Sequence, residues 1–152
     1  MDGALSCVVG GHTMCKMQDG NWKVFGQNDR GQLGLGHTTG TTTNPPSGCM
    51  HTGVWHYLRF ACNPTPVVNP ALSDVEHCVL PTSESSFCRK TDGSWLVFGG
   101  NDVGQLGLGD NVDRSTPTEN AALAGEVYRS SYFYSFMIVP LLFRLSYHPL
   151  LG

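Results

Sequence analysis

Three groups of residues have side chains that could do chemistry. Cys49-x-His51, His56 and Cys62 bring two thiols and two imidazoles into one short segment, a donor set that tetrahedral zinc accepts. Only the His51/His56 spacing fits the usual zinc pattern, and no Cys-x₂₋₄-Cys pair accompanies it. The preceding run, residues 38–46, is Thr, Asn, Gly and Pro, so the segment reads as an exposed loop without metal. His12 sits beside Thr13 and could act as a general base, but no Ser or Cys nucleophile with a carboxylate partner can be identified around it. Gly31-Gln-Leu-Gly34-Leu-Gly36 superficially suggests a dinucleotide fingerprint. Its spacing is reversed, no helical pattern follows and no βαβ unit surrounds it. No catalytic, cofactor or metal residue is assigned, and the chain is expected not to be an enzyme.

The elements that hold these residues are signalled by composition. Of 152 residues, 19 are glycine and 9 proline, set among Val, Trp and Phe. This is turn-rich β chemistry, not that of a helical bundle. Charged residues make up 14%, where about 25% is usual. The net charge is −3 and the basic residues are scattered, which disfavours direct nucleic-acid binding. The apolar run Tyr132–Phe143 is shorter than the ~20 residues of a membrane-spanning helix, so no membrane span is expected.

The six cysteines, 7, 15, 49, 62, 78 and 88, form no Cys-x-x-Cys pair. The N-terminal residues show neither a basic start nor an apolar signal core. The one Asn-x-Thr triplet, at 63–65, carries a disqualifying proline. These features imply an intracellular chain, cytoplasmic or nuclear. The thiols are then expected to be unpaired, most of them packing as small hydrophobes.

Self-comparison reveals a duplication. Residues 19–36, DGNWKVFGQNDRGQLGLG, match residues 92–109, DGSWLVFGGNDVGQLGLG, at 14 of 18 positions without a gap. The offset is 73. A second marker, Pro66-Val-Val-Asn69-Pro-Ala-Leu72 against Pro117-Thr-Glu-Asn120-Ala-Ala-Leu123, has an offset of 51. The difference, 22 residues, is an insertion within 37–65. A unit of 51 residues falls in the range of four-stranded propeller blades. Asp19-Gly20 and Asp92-Gly93 are hairpin-turn dipeptides, each followed by Trp-x-Val-Phe-Gly. Antiparallel hairpins are predicted over 12–18/20–25 and 85–91/93–98. Trp22 and Trp95 hold equivalent places and read as core.

Gly-Gly-His-Thr at 10–13, Asp-Gly at 19–20, Phe-Gly-x-Asn at 25–28 and Gly-Gln-Leu-Gly-x-Gly at 31–36 together resemble the regulator of chromosome condensation repeat. The second unit repeats the later motifs at 92–93, 98–101 and 104–109. The family fold is a seven-bladed β-propeller, and in it the position of His12 ties a blade together by hydrogen bonds. Departures are Phe25 and Phe98 where the family usually has Trp, and Ser83-Glu84-Ser85 where the second unit should carry Gly-x-x-His.

The expected fold is all-β, an incomplete β-propeller of antiparallel four-stranded blades, about two blades plus a partial third. The expected division is 1–36 first unit, 37–65 irregular insertion, 66–123 second unit and 124–152 partial third unit with an apolar tail. The resemblance implies a non-catalytic protein-interaction module. The alternative is guanine-nucleotide exchange on a small GTPase, the activity of the family's name-giving member. Partner contacts are expected at the loop tips Asn28, Asp29, Arg30, Asn101, Asp102 and Val103, since loops on rigid scaffolds carry function. Open blade edges are expected to favour self-association.

Overall fold

The computed structural model describes residues 3–39 and 61–125. The hairpins lie where the turn dipeptides put them. β1 (Ala4–Val9), β2 (His12–Met17), β3 (Trp22–Gln27) and β4 (Cys62–Val68) form one antiparallel sheet in that order. β5 (Val75–Val79), β6 (Ser85–Lys90), β7 (Trp95–Gly99) and β8 (Arg114–Glu119) form a second. The turn chemistry is the same in both. The carboxylate of Asp19 accepts from the Asn21 amide at 3.0 Å, and that of Asp92 from the Ser94 amide at 2.9 Å. Gly20 and Gly93 take φ of 85° and 87°, which other residues resist.

The fold is therefore all-β, with two four-stranded blades. Among the described residues there is no α-helix, only short 3₁₀ turns at Pro70–Leu72 and Ala121–Leu123. The boundaries of the blades differ from the expected division. The expected division puts residues 62–65 in an irregular insertion and 66–68 in the second unit, whereas Cys62–Val68 pairs with β3 as the outer strand of the first blade. The insertion thus enters between β3 and β4, inside a blade. This explains why the two sequence offsets disagree: the 51-residue marker compares the ends of β4 and β8, beyond the insertion. All but the first two residues of the partial third unit, the Tyr132–Phe143 run and most of residues 37–65 lie outside the described residues, as do Cys49, His51 and His56.

The core lies between the blades as well as within them. Met14, Trp22, Val24 and Leu33 of the first blade join Val75, Cys78, Cys88 and Phe98 of the second, with Leu72 from the connection. Trp22 and Trp95 are both buried, and the Trp22 indole N–H donates to the Val75 carbonyl of the second blade at 3.0 Å.

The cysteines correct an expectation. Cys7 is bonded to Cys15 and Cys78 to Cys88, where unpaired thiols were expected. Each pair sits at directly opposed positions of the first two strands of its blade, with Cα–Cα distances of 4.1 and 4.0 Å. Cysteines on neighbouring strands give no spacing signal in sequence, because the register that opposes them is set by the fold. Cys62 is also disulfide-bonded, so its sulfur is not available to a zinc ion.

Candidate functional site

The loops after β3 and β7 follow one plan. Asn28 and Asn101 are fully buried. The Asn28 side-chain carbonyl accepts from the Leu33 amide at 3.2 Å, and its NH₂ donates to the His37 carbonyl at 3.0 Å. Asn101 does the same with the Leu106 amide and the Asp110 carbonyl, both at 2.8 Å. Gln32 accepts from the Arg30 amide at 2.9 Å and donates to the Asp29 carboxylate at 3.2 Å. Gln105 repeats this with Val103 and Asp102 at 3.0 and 3.2 Å. From the outer strands, the Asn69 and Asn120 side chains donate to the Leu33 and Leu106 carbonyls, each at 2.8 Å. The repeated Asn and Gln thus exist to satisfy loop backbone that would otherwise be buried without partners.

Of the six predicted contact residues, Asn28 and Asn101 are braces beneath the surface. The other four stand at the tips, and the structure brings them together across the blades. The Arg30 guanidinium lies 3.0 Å from the Asp113 carboxylate and 3.9 Å from that of Asp102. The hydrogen bond and charge of Asp113 raise the Arg30 pKa above its ordinary value. Asp113 also accepts from the Asn101 amide at 2.7 Å. Sequence reasoning missed Asp113, because the duplication offers no counterpart beyond Gly36 for comparison. Val103 is 79% exposed and Val112 is 62% exposed. The blade-end surface therefore combines two bare valines with an inter-blade ion cluster.

Below it, His12 joins the blades. Its Nδ1 is 3.2 Å from the Ser83 carbonyl and its Nε2 is 2.6 Å from the Ser86 hydroxyl, which donates to the Gln32 carbonyl at 2.8 Å. The sequence places His12 within a blade's own hydrogen bonding, whereas the structure uses it between blades. Three contacts call for three protons, and a neutral imidazole with one hydroxyl supplies two. A third would come with protonation, but burial opposes the charge and pushes the His12 pKa down to about 4, outweighing the Ser83 carbonyl. His12 is a structural bridge between blades.

Among the described residues no group of His, Cys, Asp or Glu is arranged to hold a metal ion, and no helix is long and apolar enough to cross a membrane.

Residues 92–131 match the family model of the regulator of chromosome condensation (RCC1) repeat. The chain carries an RCC1 repeat. The second-blade loop and its Gly-Gln-Leu-Gly-Leu-Gly run fall inside that match, and 14 of 18 positions there recur at 19–36. Solved RCC1-type structures share the fold. Yeast RCC1 (Prp20), in its complex with Kap60, is 20% identical with a TM-score of 0.58, covering 80% of this chain and 26% of that one. Prp20p from Saccharomyces cerevisiae, described with its binding properties to Gsp1p and histones, is 20% identical with a TM-score of 0.56, covering 80% and 27%. Human WBSCR16 is 16% identical with a TM-score of 0.55, covering 79% and 26%. The chain spans about a quarter of the length of these structures.

Proposed function

We propose that this chain is a non-catalytic protein-interaction module whose RCC1-type blades present Asp29, Arg30, Asp102 and Val103 to a protein partner, with Asn28 and Asn101 holding the tips in place. The observation that carries this reading is the pairing of a 79%-exposed Val103 with the Arg30–Asp102–Asp113 cluster. Exposed apolar side chains ringed by charge suit protein recognition. A photo-crosslinker at position 103 tests it in cells, with one at Asp92, on the hairpin turn at the other end of the strands, as control. Defined protein adducts from 103 alone are expected. Equal labelling from both positions would count against the reading.

The second reading is regulation of, or guanine-nucleotide exchange on, a small GTPase. It is favoured by the fold shared with Prp20p, described with its binding to Gsp1p. Nucleotide-release kinetics on purified small GTPases separate the two, since a pure binding module leaves release unchanged. An intracellular setting, cytoplasmic or nuclear, belongs to both readings. The Cys7–Cys15 and Cys78–Cys88 bonds weigh against it, because disulfides are rare in the cytosol and nucleus. Self-association through β1 is the third part of the proposal: Leu5 and Val9 are exposed on that strand, and an uncovered first strand invites another chain.

A further inference from the structure

The two disulfides occupy one position of the repeat and have different surroundings. In the second blade, Cys78 and Cys88 are both fully buried and belong to the core between the blades. The first blade covers β5 there, with Lys16 Nζ and the Trp22 indole both donating to the Val75 carbonyl at 3.0 Å. In the first blade, among the described residues, nothing equivalent lies over β1. Cys15 is buried, but Leu5, Ser6, Cys7 and Val9 are all exposed.

A second difference lies in the same row of side chains. Across β1, β2 and β3 the directly opposed residues are Cys7, Cys15 and Lys23. Across β5, β6 and β7 they are Cys78, Cys88 and Leu96. Opposed residues on neighbouring strands share a face and approach closely. The position that carries an apolar side chain packed on the core in the second blade therefore carries a lysine in the same row as the disulfide in the first. Thiol–disulfide exchange proceeds by thiolate attack on one sulfur and departure of the other as thiolate. A neighbouring cation attracts the anionic nucleophile and stabilises the departing thiolate.

We propose that Cys7–Cys15 is a thiol-exchange site, opened in the folded chain by a small anionic thiol of the glutathione class, while Cys78–Cys88 stays closed. The thiolate attacks the exposed Cys7 sulfur. A bond forms between the two, the Cys7–Cys15 bond breaks, and Cys15 leaves as thiolate and takes a proton from water. A second thiolate attacks the attached thiol's sulfur, releasing Cys7 and the oxidised, disulfide-linked thiol. Two thiols are oxidised and one protein disulfide is reduced. Opening this bond leaves β1 held to the blade by its ladder and by the packing of Val8 on the core. The site lets one blade keep its cross-link while the other responds to the thiol pool.

The test uses the full oxidised chain, reduced glutathione near neutral pH, timed alkylation and peptide mass mapping. Cys7 and Cys15 should become modified at least tenfold faster than Cys78 and Cys88, and the difference should vanish in denaturant. The Lys23→Leu variant should slow the first pair at least threefold, with wild-type far-ultraviolet circular dichroism, and its rate should lose most of its salt dependence. Equal rates for the two pairs in the folded chain, or earlier opening of Cys78–Cys88, would overturn the proposal. An unchanged, equally salt-dependent rate in Lys23→Leu would overturn the role of the cation. The rates on the unaltered chain decide the main point should that variant fold poorly.

Discussion

β1 and β5 are the same strand of the repeat in two different places. Each opens a blade, pairs with the next strand and carries a cysteine opposed to its partner. β5 is sealed: Val75 and Cys78 are buried, and Leu80 just beyond it packs on the core. β1 is bare, with Val9, the counterpart of Leu80, 74% exposed. Among the described residues, the difference lies in what packs on each strand. A blade does not complete its own core. Its first strand is covered by the preceding blade, here by Lys16 and Trp22 at the Val75 carbonyl, while His12 reaches Ser83 and Ser86 and the 31–36 loop seats on Phe98 and β8. Stability in such an array belongs largely to the interfaces between units, and substitutions at equivalent positions should differ according to which side of an interface they occupy.

The sharpest contrast is between Gly31 and Gly104. Both hold positive φ, 80° and 75°. A Cβ at Gly31 would collide with the Ser115 Cα, in the backbone of β8, whereas one at Gly104 would meet the Asn111 side-chain oxygen at 3.3 Å and the Asp110 carbonyl at 3.8 Å. Gly104→Ala bears mainly the conformational cost of about 1–2 kcal/mol. Gly31→Ala adds the separation of two blades and should cost at least ~3 kcal/mol. Urea unfolding of the two variants reads the difference. Equal costs would mean that the loop does not seat on the second blade.

His12 gives the next effect. The second blade has Ser85 at that position, so the inter-blade titration belongs to the first blade alone. The folded pKa is lowered to about 4, below the ordinary 6.5 of the unfolded chain. Between those values the unfolded chain binds a proton that the folded chain refuses, so stability falls as pH drops from 6.5 to 4. The loss is about 3 kcal/mol for 2.5 pH units. His12→Gln should flatten that segment of the stability profile and leave the carboxylate-driven loss below pH 4. A profile unchanged by the substitution would remove His12 from the interface.

Val9 and Leu80 carry the contrast to the bare strand. Leu80→Ala takes a side chain from the core and should cost about 1–2 kcal/mol. Val9→Ala should stay within ~0.5 kcal/mol. Val9→Lys should leave stability alike unchanged and reduce self-association in a light-scattering concentration series, since lysine protects an open edge. Comparable costs for Leu80→Ala and Val9→Ala would show that something covers β1 after all.

These contrasts mark what the sequence could tell. The hairpins were legible because Asp-Gly turns and Trp-x-Val-Phe-Gly strands are local signals that the duplication repeats. The buried tryptophans followed from their equivalence. The fourth strand of the first blade was not legible: Cys62–Val68 contains Pro64 and Pro66 and lies after an insertion that hides its pairing with β3. The disulfides were not legible, because the register that opposes Cys7 to Cys15 and Cys78 to Cys88 comes from strand pairing and leaves no spacing signal. At the loop tips, the repeated Asn-Asp pairs pointed to two loops built on one plan. They could not separate the buried brace, Asn28 or Asn101, from the exposed tip, and they gave no sign of Asp113.

The smallest effect separates recognition from scaffolding at those tips. Arg30 bridges to Asp113 and Asp102, and Val103 at the matching position of the second loop cannot make such a pair. The Arg30 side chain is 38% exposed, so solvent and salt screen its interaction. Arg30→Ala should therefore cost less than ~1 kcal/mol, and the cost should shrink further at high salt. Val103→Asp, on a side chain that packs against little, should leave stability within ~0.5 kcal/mol. If the loop tips meet a protein partner, both substitutions should still weaken capture of that partner by more than their stability costs. Arg30→Ala should do so in a salt-dependent way and Val103→Asp in a salt-independent way. A loss of capture that merely tracks the loss of folded protein would return Arg30 to the scaffold, as a surface tie between blades, and leave Val103 as ordinary exposed surface.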